Sequence, residues 1–207
     1  MDELAEGMQR DQAARSAAML ARVAKEVRGG GPLSDEALIM ASCAEPQDFA
    51  CLFERYADEI YRYVARRLGD EAAPDLVSEV FLIAFRGRRT FDPGRGPVRA
   101  WLYGITIKVI GGHRRAEARR NRALARLPEP PADESFEDRS AERIQAERLR
   151  PGLARALTRL SAAERDLLLL IAWTDLSYGE AAQALGIPAG TLRSRLHRVR
   201  VKLRRAL

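Results

Sequence analysis

The sequence predicts an all-α protein built from two small helical domains. Ala, Leu, Arg and Glu dominate its 207 residues, whereas aromatic residues make up only 6%, and such a composition favours helices. No long stretch alternates polar and apolar residues, and no Asn-Gly or Asp-Gly pair occurs, so strands and hairpins are not indicated. A segment rich in proline and acids separates two blocks of helical patterning.

The first 32 residues are predicted to be a separate N-terminal extension. Met19, Leu20, Val23 and Val27 would form the apolar face of a weakly amphipathic helix. Residues 29–32, with the sequence Gly-Gly-Gly-Pro, break that helix. Two interpretations of residues 1–32 remain open, a flexible tail or a docking or regulatory segment.

The first domain is assigned to residues 33–126. Ser34, followed by two acids, is a helix N-cap. A second helix is predicted over 47–68 and ends at Gly69, and Pro74 lies in the first turn of a third helix. The apolar face of the second helix consists of Phe49, Leu52, Phe53, Tyr56, Ile60, Tyr63 and Val64.

A loop and a fourth helix complete this domain. Residues 91–97 contain two Pro and two Gly, which excludes a helix there. The fourth helix is predicted to begin near Arg99 and to continue into residues 114–126, which hold six Arg and one Glu. Its apolar residues are Trp101, Leu102, Ile105 and Val109.

Residues 127–141 are predicted to be a flexible acidic linker. Three prolines extend this stretch, and its charges keep it solvated. Residues 129–147 hold seven acids against two Arg, so the second half of the chain is basic, then acidic, then basic, within a net charge of +6.

The second domain is assigned to residues 142–207. Ser161 with Glu164, and Ser177 with Glu180, are two successive capping boxes. A turn at Gly186 joins the second capped helix to a last helix whose apolar stripe is Leu192, Leu196, Val199 and Leu203. Residues 188–207 hold seven basic residues and no acid. This arrangement predicts a helix-turn-helix that binds DNA.

Other classes of protein are not indicated by the sequence. Cys43 and Cys51 are interpreted as buried free thiols on one helix, too far apart for a disulfide. No metal-ligand spacing, nucleophile–base pair or phosphate-binding Gly loop is found, so we expect neither an enzyme nor a cofactor. Without an 18-residue apolar run or a leader pattern, we expect a cytoplasmic protein with no membrane insertion.

Three motifs in order resemble the extracytoplasmic-function group of bacterial RNA polymerase sigma factors. Residues 75–81, DLVSEVF, are similar to the family's polymerase-binding helix. Residues 101–105, WLYGI, followed by His113-Arg114-Arg115, are similar to its −10 region. Residues 190–196, GTLRSRL, are similar to its −35 recognition helix. The resemblance covers residues 33–207 and makes 33–126 sigma region 2 and 142–207 sigma region 4.

The resemblance implies partners and sites. The partners are the RNA polymerase core, through its largest-subunit coiled coil and flap region, promoter DNA, and an anti-sigma factor. The polymerase-binding residues are Asp75, Ser78 and Glu79. The −10 residues are Phe91, Arg95, Lys108, His113, Arg114, Arg115 and Arg119. The −35 residues are Thr191, Arg193, Ser194, Arg195, His197 and Arg198.

One position departs from the family pattern. Lys108 lies where the family commonly has Asn, and Lys only donates hydrogen bonds. Either the −10 preference changes, or Lys108 contacts a phosphate. The linker is expected to enter the polymerase cleft as a mimic of nucleic acid, with a plain tether as the alternative.

Two expectations concern the whole chain. We expect the two domains to pack together in the free protein, because exposed basic surfaces would otherwise bind any DNA. The rival function is a two-domain helix-turn-helix repressor or activator that works without core polymerase and binds palindromic sites as a dimer.

Overall fold

The computed structural model describes residues 33–124 and 156–206. Within these ranges the protein is helical and contains no strand, which confirms the all-α prediction. The four helices of the first domain are α1 (Asp35–Ala44), α2 (Ala50–Leu68), α3 (Ala73–Gly87) and α4 (Val98–Leu124). The second domain contributes α5 (Ala162–Trp173), α6 (Tyr178–Ala184) and α7 (Ala189–Ala206). The predictions for the N-terminal extension and the linker lie outside the described residues.

Local signals set the helix ends of the first domain. The Ser34 hydroxyl accepts a hydrogen bond from the Ala37 amide at 3.2 Å, which caps α1. Gly69 has a φ of 91°, a left-handed conformation that a side chain would disfavour, and it ends α2. Pro74 lies in the first turn of α3, where its missing N–H needs no partner.

Two details of the second predicted helix are wrong. It begins as a short 3-10 helix at Pro46–Phe49 and becomes α-helical at Ala50. Phe53, predicted to be in the apolar face, is 45% exposed because it lies at the edge where α2 meets α3. Its ring still contacts Phe81 edge-on, with centroids 4.9 Å apart.

Both cysteines are free, as predicted, but their predicted burial and their shared helix are wrong. Cys43 lies on α1 and Cys51 on α2, so the two do not share a helix. Cys51 is exposed and Cys43 is half-buried. The 3-10 turn that separates α1 from α2 changes the direction of the chain between them.

The second domain has the predicted helix-turn-helix. Both capping boxes are complete, with each serine side chain accepting from the third helical amide and each glutamate accepting from the serine amide. Gly186 has a φ of 64° in the turn between α6 and α7. Leu192, Leu196 and Val199 of α7 are at most 2% exposed, so the predicted stripe packs inward.

The two domains pack against each other as we expected. Helix α6 lies on α4, and buried residues of both domains form one hydrophobic cluster. The approach is close at Gly104, where an added Cβ would lie 3.0 Å from the carbonyl oxygen of Ala184. Arg67 of α2 also forms an ion pair with Asp166 of α5 at 2.5 Å.

Candidate polymerase and nucleic-acid interfaces

The residues predicted to bind polymerase lie together on the outer face of α3. Asp75, Ser78 and Glu79 are all exposed, while the Leu76, Val80 and Phe81 side chains are buried beneath them. The Ser78 hydroxyl donates to the carbonyl of Pro74 in its own helix. The two carboxylates therefore form a solvent-facing acidic surface on a helix that the core holds in place.

This surface also contains apolar residues that the sequence prediction missed. Leu82 is 47% exposed and Ile83 is 41% exposed. Leu82 lies seven residues after Asp75, so it shares the outer face of the helix. The seven-residue spacing from Asp75 was a signal that could have identified Leu82. A helix face that combines acidic and apolar residues is more typical of a surface that binds another protein than of one that only contacts water.

The loop of residues 91–97 is shaped by its own backbone. The Asp92 carboxylate accepts from the Gly94 amide at 2.9 Å and caps a 3-10 turn, Pro93–Arg95. The Phe91 ring lies 5.3 Å from the Trp101 ring of α4, with the two planes tilted. Arg95 is exposed at the rim.

This loop and α4 form one wall of a cleft between the domains. Its volume is roughly 610 Å³, and Lys108 lies on the same wall as Phe91 and Trp101. Residues 182–188, the end of α6 and the turn before α7, form the opposite wall. Aromatic rings beside cations are suited to an unstacked base and its phosphate, but in this closed arrangement the second domain faces that wall.

The other predicted −10 residues occupy two environments. Arg115 and Arg119 are exposed on α4. His113 is half-buried, with its Nε2 3.7 Å from a carboxylate oxygen of Glu117. Arg114 is also half-buried, and its Nη2 donates to the carbonyl oxygen of Arg67 at 3.4 Å. Two of these four residues are thus held against the domain, and two project from it.

The predicted −35 residues lie on α7, opposite its buried stripe. Arg193, Ser194, Arg195, His197 and Arg198 are exposed, and Thr191 is half-buried. The Ser194 hydroxyl donates to the carbonyl of Thr191 at 3.0 Å. An exposed helix face with arginines and short polar side chains fits the major groove, where Arg reads guanine.

A polar network behind these surfaces was not predicted. Glu59 of α2 accepts from Arg99 Nε at 2.9 Å and from the Tyr103 hydroxyl at 2.8 Å. Burial, together with this hydrogen bond, raises the pKa of Tyr103, so the phenol stays protonated. Arg99 also interacts electrostatically with Glu180 of the second domain. These partners are at least 40 residues apart in sequence, so no local pattern identified them.

Over residues 33–124 and 156–206, no three His, Cys, Asp or Glu side chains are grouped as metal ligands would be. No helix in the same ranges has both the length and the apolar character needed to cross a membrane.

Comparison with known protein families matches both domains. The family model for Sigma-70 region 2 matches residues 52–120, and the model for Sigma-70, region 4 matches residues 152–203. Together the two matches cover both the acidic face of α3 and the helix-turn-helix.

Two similar proteins are named as ECF RNA polymerase sigma factors. The ECF RNA polymerase sigma factor SigL of Mycobacterium tuberculosis is 31% identical over 158 residues, which are 76% of this chain and 87% of SigL. The sigma factor SigE of Mycolicibacterium smegmatis is 34% identical over 155 residues, 74% of this chain but 59% of SigE.

Two solved structures share the fold. CnrH, in complex with the cytosolic domain of CnrY, aligns with a TM-score of 0.55 and 26% identity over 82% of this chain and 94% of CnrH. The sigma factor RpoE of Bartonella quintana, in complex with the anti-sigma factor NepR, aligns with a TM-score of 0.53 and 23% identity over 77% of this chain and 96% of RpoE. With a helix-turn-helix in the second domain, matches to both sigma regions and 31% identity to SigL over 87% of that protein, the chain belongs to the ECF group of RNA polymerase sigma factors.

Proposed function

We propose that this protein binds RNA polymerase core and directs promoter-specific initiation of transcription. The first domain would open and read the −10 element, and the second would read the −35 element. The observation that carries this proposal is the combination of three surfaces in one chain. They are the exposed basic face of α7, the cleft wall with aromatic rings beside Lys108, and the separate acidic and apolar face of α3. A protein that acts on DNA alone has no need of the third surface.

The test uses purified core polymerase and the full-length chain. The proposal expects the chain to elute together with core on gel filtration and to start transcripts at defined positions on genomic DNA, as read by sequencing of the transcripts. A chain that elutes apart from core, and that binds palindromic DNA as a dimer, would instead support the repressor function.

The proposal also includes residue roles and location. Asp75, Ser78 and Glu79 bind the coiled coil of the largest subunit, and the flap region contacts the second domain. The exposed residues of α7 read the −35 bases, and the wall formed by Phe91, Trp101 and Lys108 takes the −10 strand. The protein works in the cytoplasm, where the polymerase core acts on DNA.

The closed arrangement gives this function a resting state. Because residues 182–188 face the −10 wall across the cleft, the free protein would bind promoter DNA weakly until the domains separate. RpoE was solved with the anti-sigma factor NepR bound, and CnrH with the cytosolic domain of CnrY bound. We propose that an anti-sigma factor likewise binds this chain and holds it away from core, which co-purification from the native cell would test.

A further inference from the structure

Arg67 is a buried cation at the junction of the two domains. It is 1% exposed. Its Nη1 donates to the Tyr63 hydroxyl at 3.0 Å, and its Nη2 donates to Asp166 at 2.5 Å. Its Nε is buried and has no hydrogen-bond partner among the described residues. The guanidinium is therefore charged, buried and only partly satisfied.

Among the described residues, the carboxylate that pairs with Arg67 belongs to the other domain. Arg67 lies near the end of α2, whereas Asp166 lies on α5, 99 residues later. Separation of the domains removes that carboxylate. A buried guanidinium without its carboxylate strongly destabilises the protein unless water or another anion takes the place of that carboxylate.

The basic end of α4 lies beside Arg67. The carbonyl oxygen of Arg67 accepts from Arg114 Nη2, and Arg115 and Arg119 project from the same helix end. In an opened protein bound to a promoter, the anions next to this helix are DNA phosphates. A guanidinium fork binds phosphate and carboxylate oxygens in the same geometry.

We infer that Arg67 contacts a DNA phosphate in the opened protein and that Asp166 occupies the same guanidinium in the closed one. The inference rests on the proposed promoter-binding function and adds one residue to it. Asp166 acts as an internal substitute for phosphate, so DNA and the second domain compete for one cation. Promoter binding and domain opening are coupled through that competition.

The first test measures binding of the polymerase holoenzyme to a promoter identified by transcript sequencing, over a range of salt concentrations. Arg67→Gln should weaken binding several-fold and reduce the slope of log affinity against log salt by about one unit. The matched control, Arg62→Gln, removes an exposed charge from α2 and should leave the slope unchanged. An unchanged slope in Arg67→Gln, or an equal reduction in both variants, overturns the inference.

The second test uses the free protein and the same DNA. Asp166→Asn should increase DNA binding several-fold, and adding Arg67→Gln should remove most of that increase. If the double variant binds DNA as tightly as Asp166→Asn alone, the pair only holds the domains together and Arg67 does not contact DNA.

A folding control and a wild-type control complete the design. Circular dichroism and elution with core report whether Arg67→Gln folds. If it does not, Arg67→Lys replaces it and should retain the salt slope while lowering affinity, because Lys lacks the fork. A reduced salt slope in Arg67→Lys contradicts the inference. Wild-type protein that starts no transcripts with core would refute the proposed function itself, a result distinct from all of these.

Discussion

At the residue scale, Lys108 and Arg67 differ in how closely the surrounding side chains fix their position. Lys108 is exposed on the wall of the cleft, where its ammonium group contacts solvent. Arg67, in contrast, is fixed by two hydrogen bonds and by burial. An exposed Lys near the path of a strand most simply neutralises phosphate, since an ammonium group acts as a point charge.

Substitution of Lys108 tests this assignment in the holoenzyme. Lys108→Ala should weaken binding to all promoters about equally and reduce the salt slope by about one unit, because one phosphate contact is lost. Lys108→Arg keeps the charge and should keep the slope, whereas Lys108→Asn should move the −10 preference toward that of relatives with Asn. A change in preference at one base position in Lys108→Ala would contradict the phosphate assignment.

At the scale of single helices, most features follow from the capping residues and from which face of the helix is buried. The capping box of α5 is connected to α7, because Lys202 forms an ion pair with Glu164, the acid of that box and the third residue of α5. The hydrogen bond from Lys202 and the backbone hydrogen bond at Ser161 lower the pKa of Glu164 to about 2. The cap therefore stabilises a helix and also connects it to the recognition helix.

This capping box makes stability depend on pH. Because the pKa of Glu164 is lower in the folded protein, its contribution is complete above the ordinary pKa of 4.5 and is lost as pH falls toward 2. Glu164→Gln should flatten the acid limb of the stability curve, measured by urea unfolding of the full chain. Ser161→Ala should cost about 1 kcal/mol at neutral pH, whereas Ser194→Ala, in an exposed helix interior, serves as the control. An unchanged acid limb in Glu164→Gln would show that the box carries no pH dependence.

The outer face of α3 supports a prediction about polymerase binding. Reversal of both carboxylates, Asp75→Arg with Glu79→Arg, should cost on the order of 2–5 kcal/mol of core affinity, because charge-assisted contacts become repulsive. Glu54→Arg with Asp58→Arg is a matched control, since these acids have the same spacing and are exposed on α2. Equal core affinity for both double variants, measured by titration with labelled chain, would remove α3 from the interface.

At the scale of the whole molecule, the described parts of the two domains meet through small residues and through the ion pair of Arg67 with Asp166. Gly104 allows α4 to approach the end of α6, and Asp166 neutralises Arg67. The wall formed by Phe91, Trp101 and Lys108, which we propose takes the −10 strand, faces the second domain across the cleft. Closure and DNA binding should therefore be alternatives. The balance between them then sets the activity of the free protein.

A single methyl group should shift that balance. Gly104→Ala would put a Cβ 3.0 Å from the Ala184 carbonyl oxygen, whereas the same change at Gly112 on the same helix meets nothing within 4 Å. Both changes favour helix α4, so their difference reports the domain contact. We expect Gly104→Ala to increase DNA binding by the free protein a few-fold and Gly112→Ala to leave it unchanged, by mobility shift. Equal binding by both variants would mean that Gly104 does not limit closure.

The sequence by itself determined the helices and their ends, because those signals are local. Caps at Ser34, Ser161 and Ser177, the turn at Gly186 and the stripe on α7 all depend on residues within one or two turns. The three motifs also identified the family, since their order and spacing lie along the chain. The proposed binding residues remain predictions from that resemblance.

Only the tertiary structure decided how the surfaces are arranged. The exposure of Phe53 and Leu82, the position of residues 182–188 opposite the −10 wall, and the Arg67–Asp166 pair depend on elements that meet from distant parts of the chain. Apolar character alone does not distinguish a core residue from a docking residue, and charge alone does not select a partner 99 residues away. Tertiary packing determines both, because it sets which side chains are buried against each other.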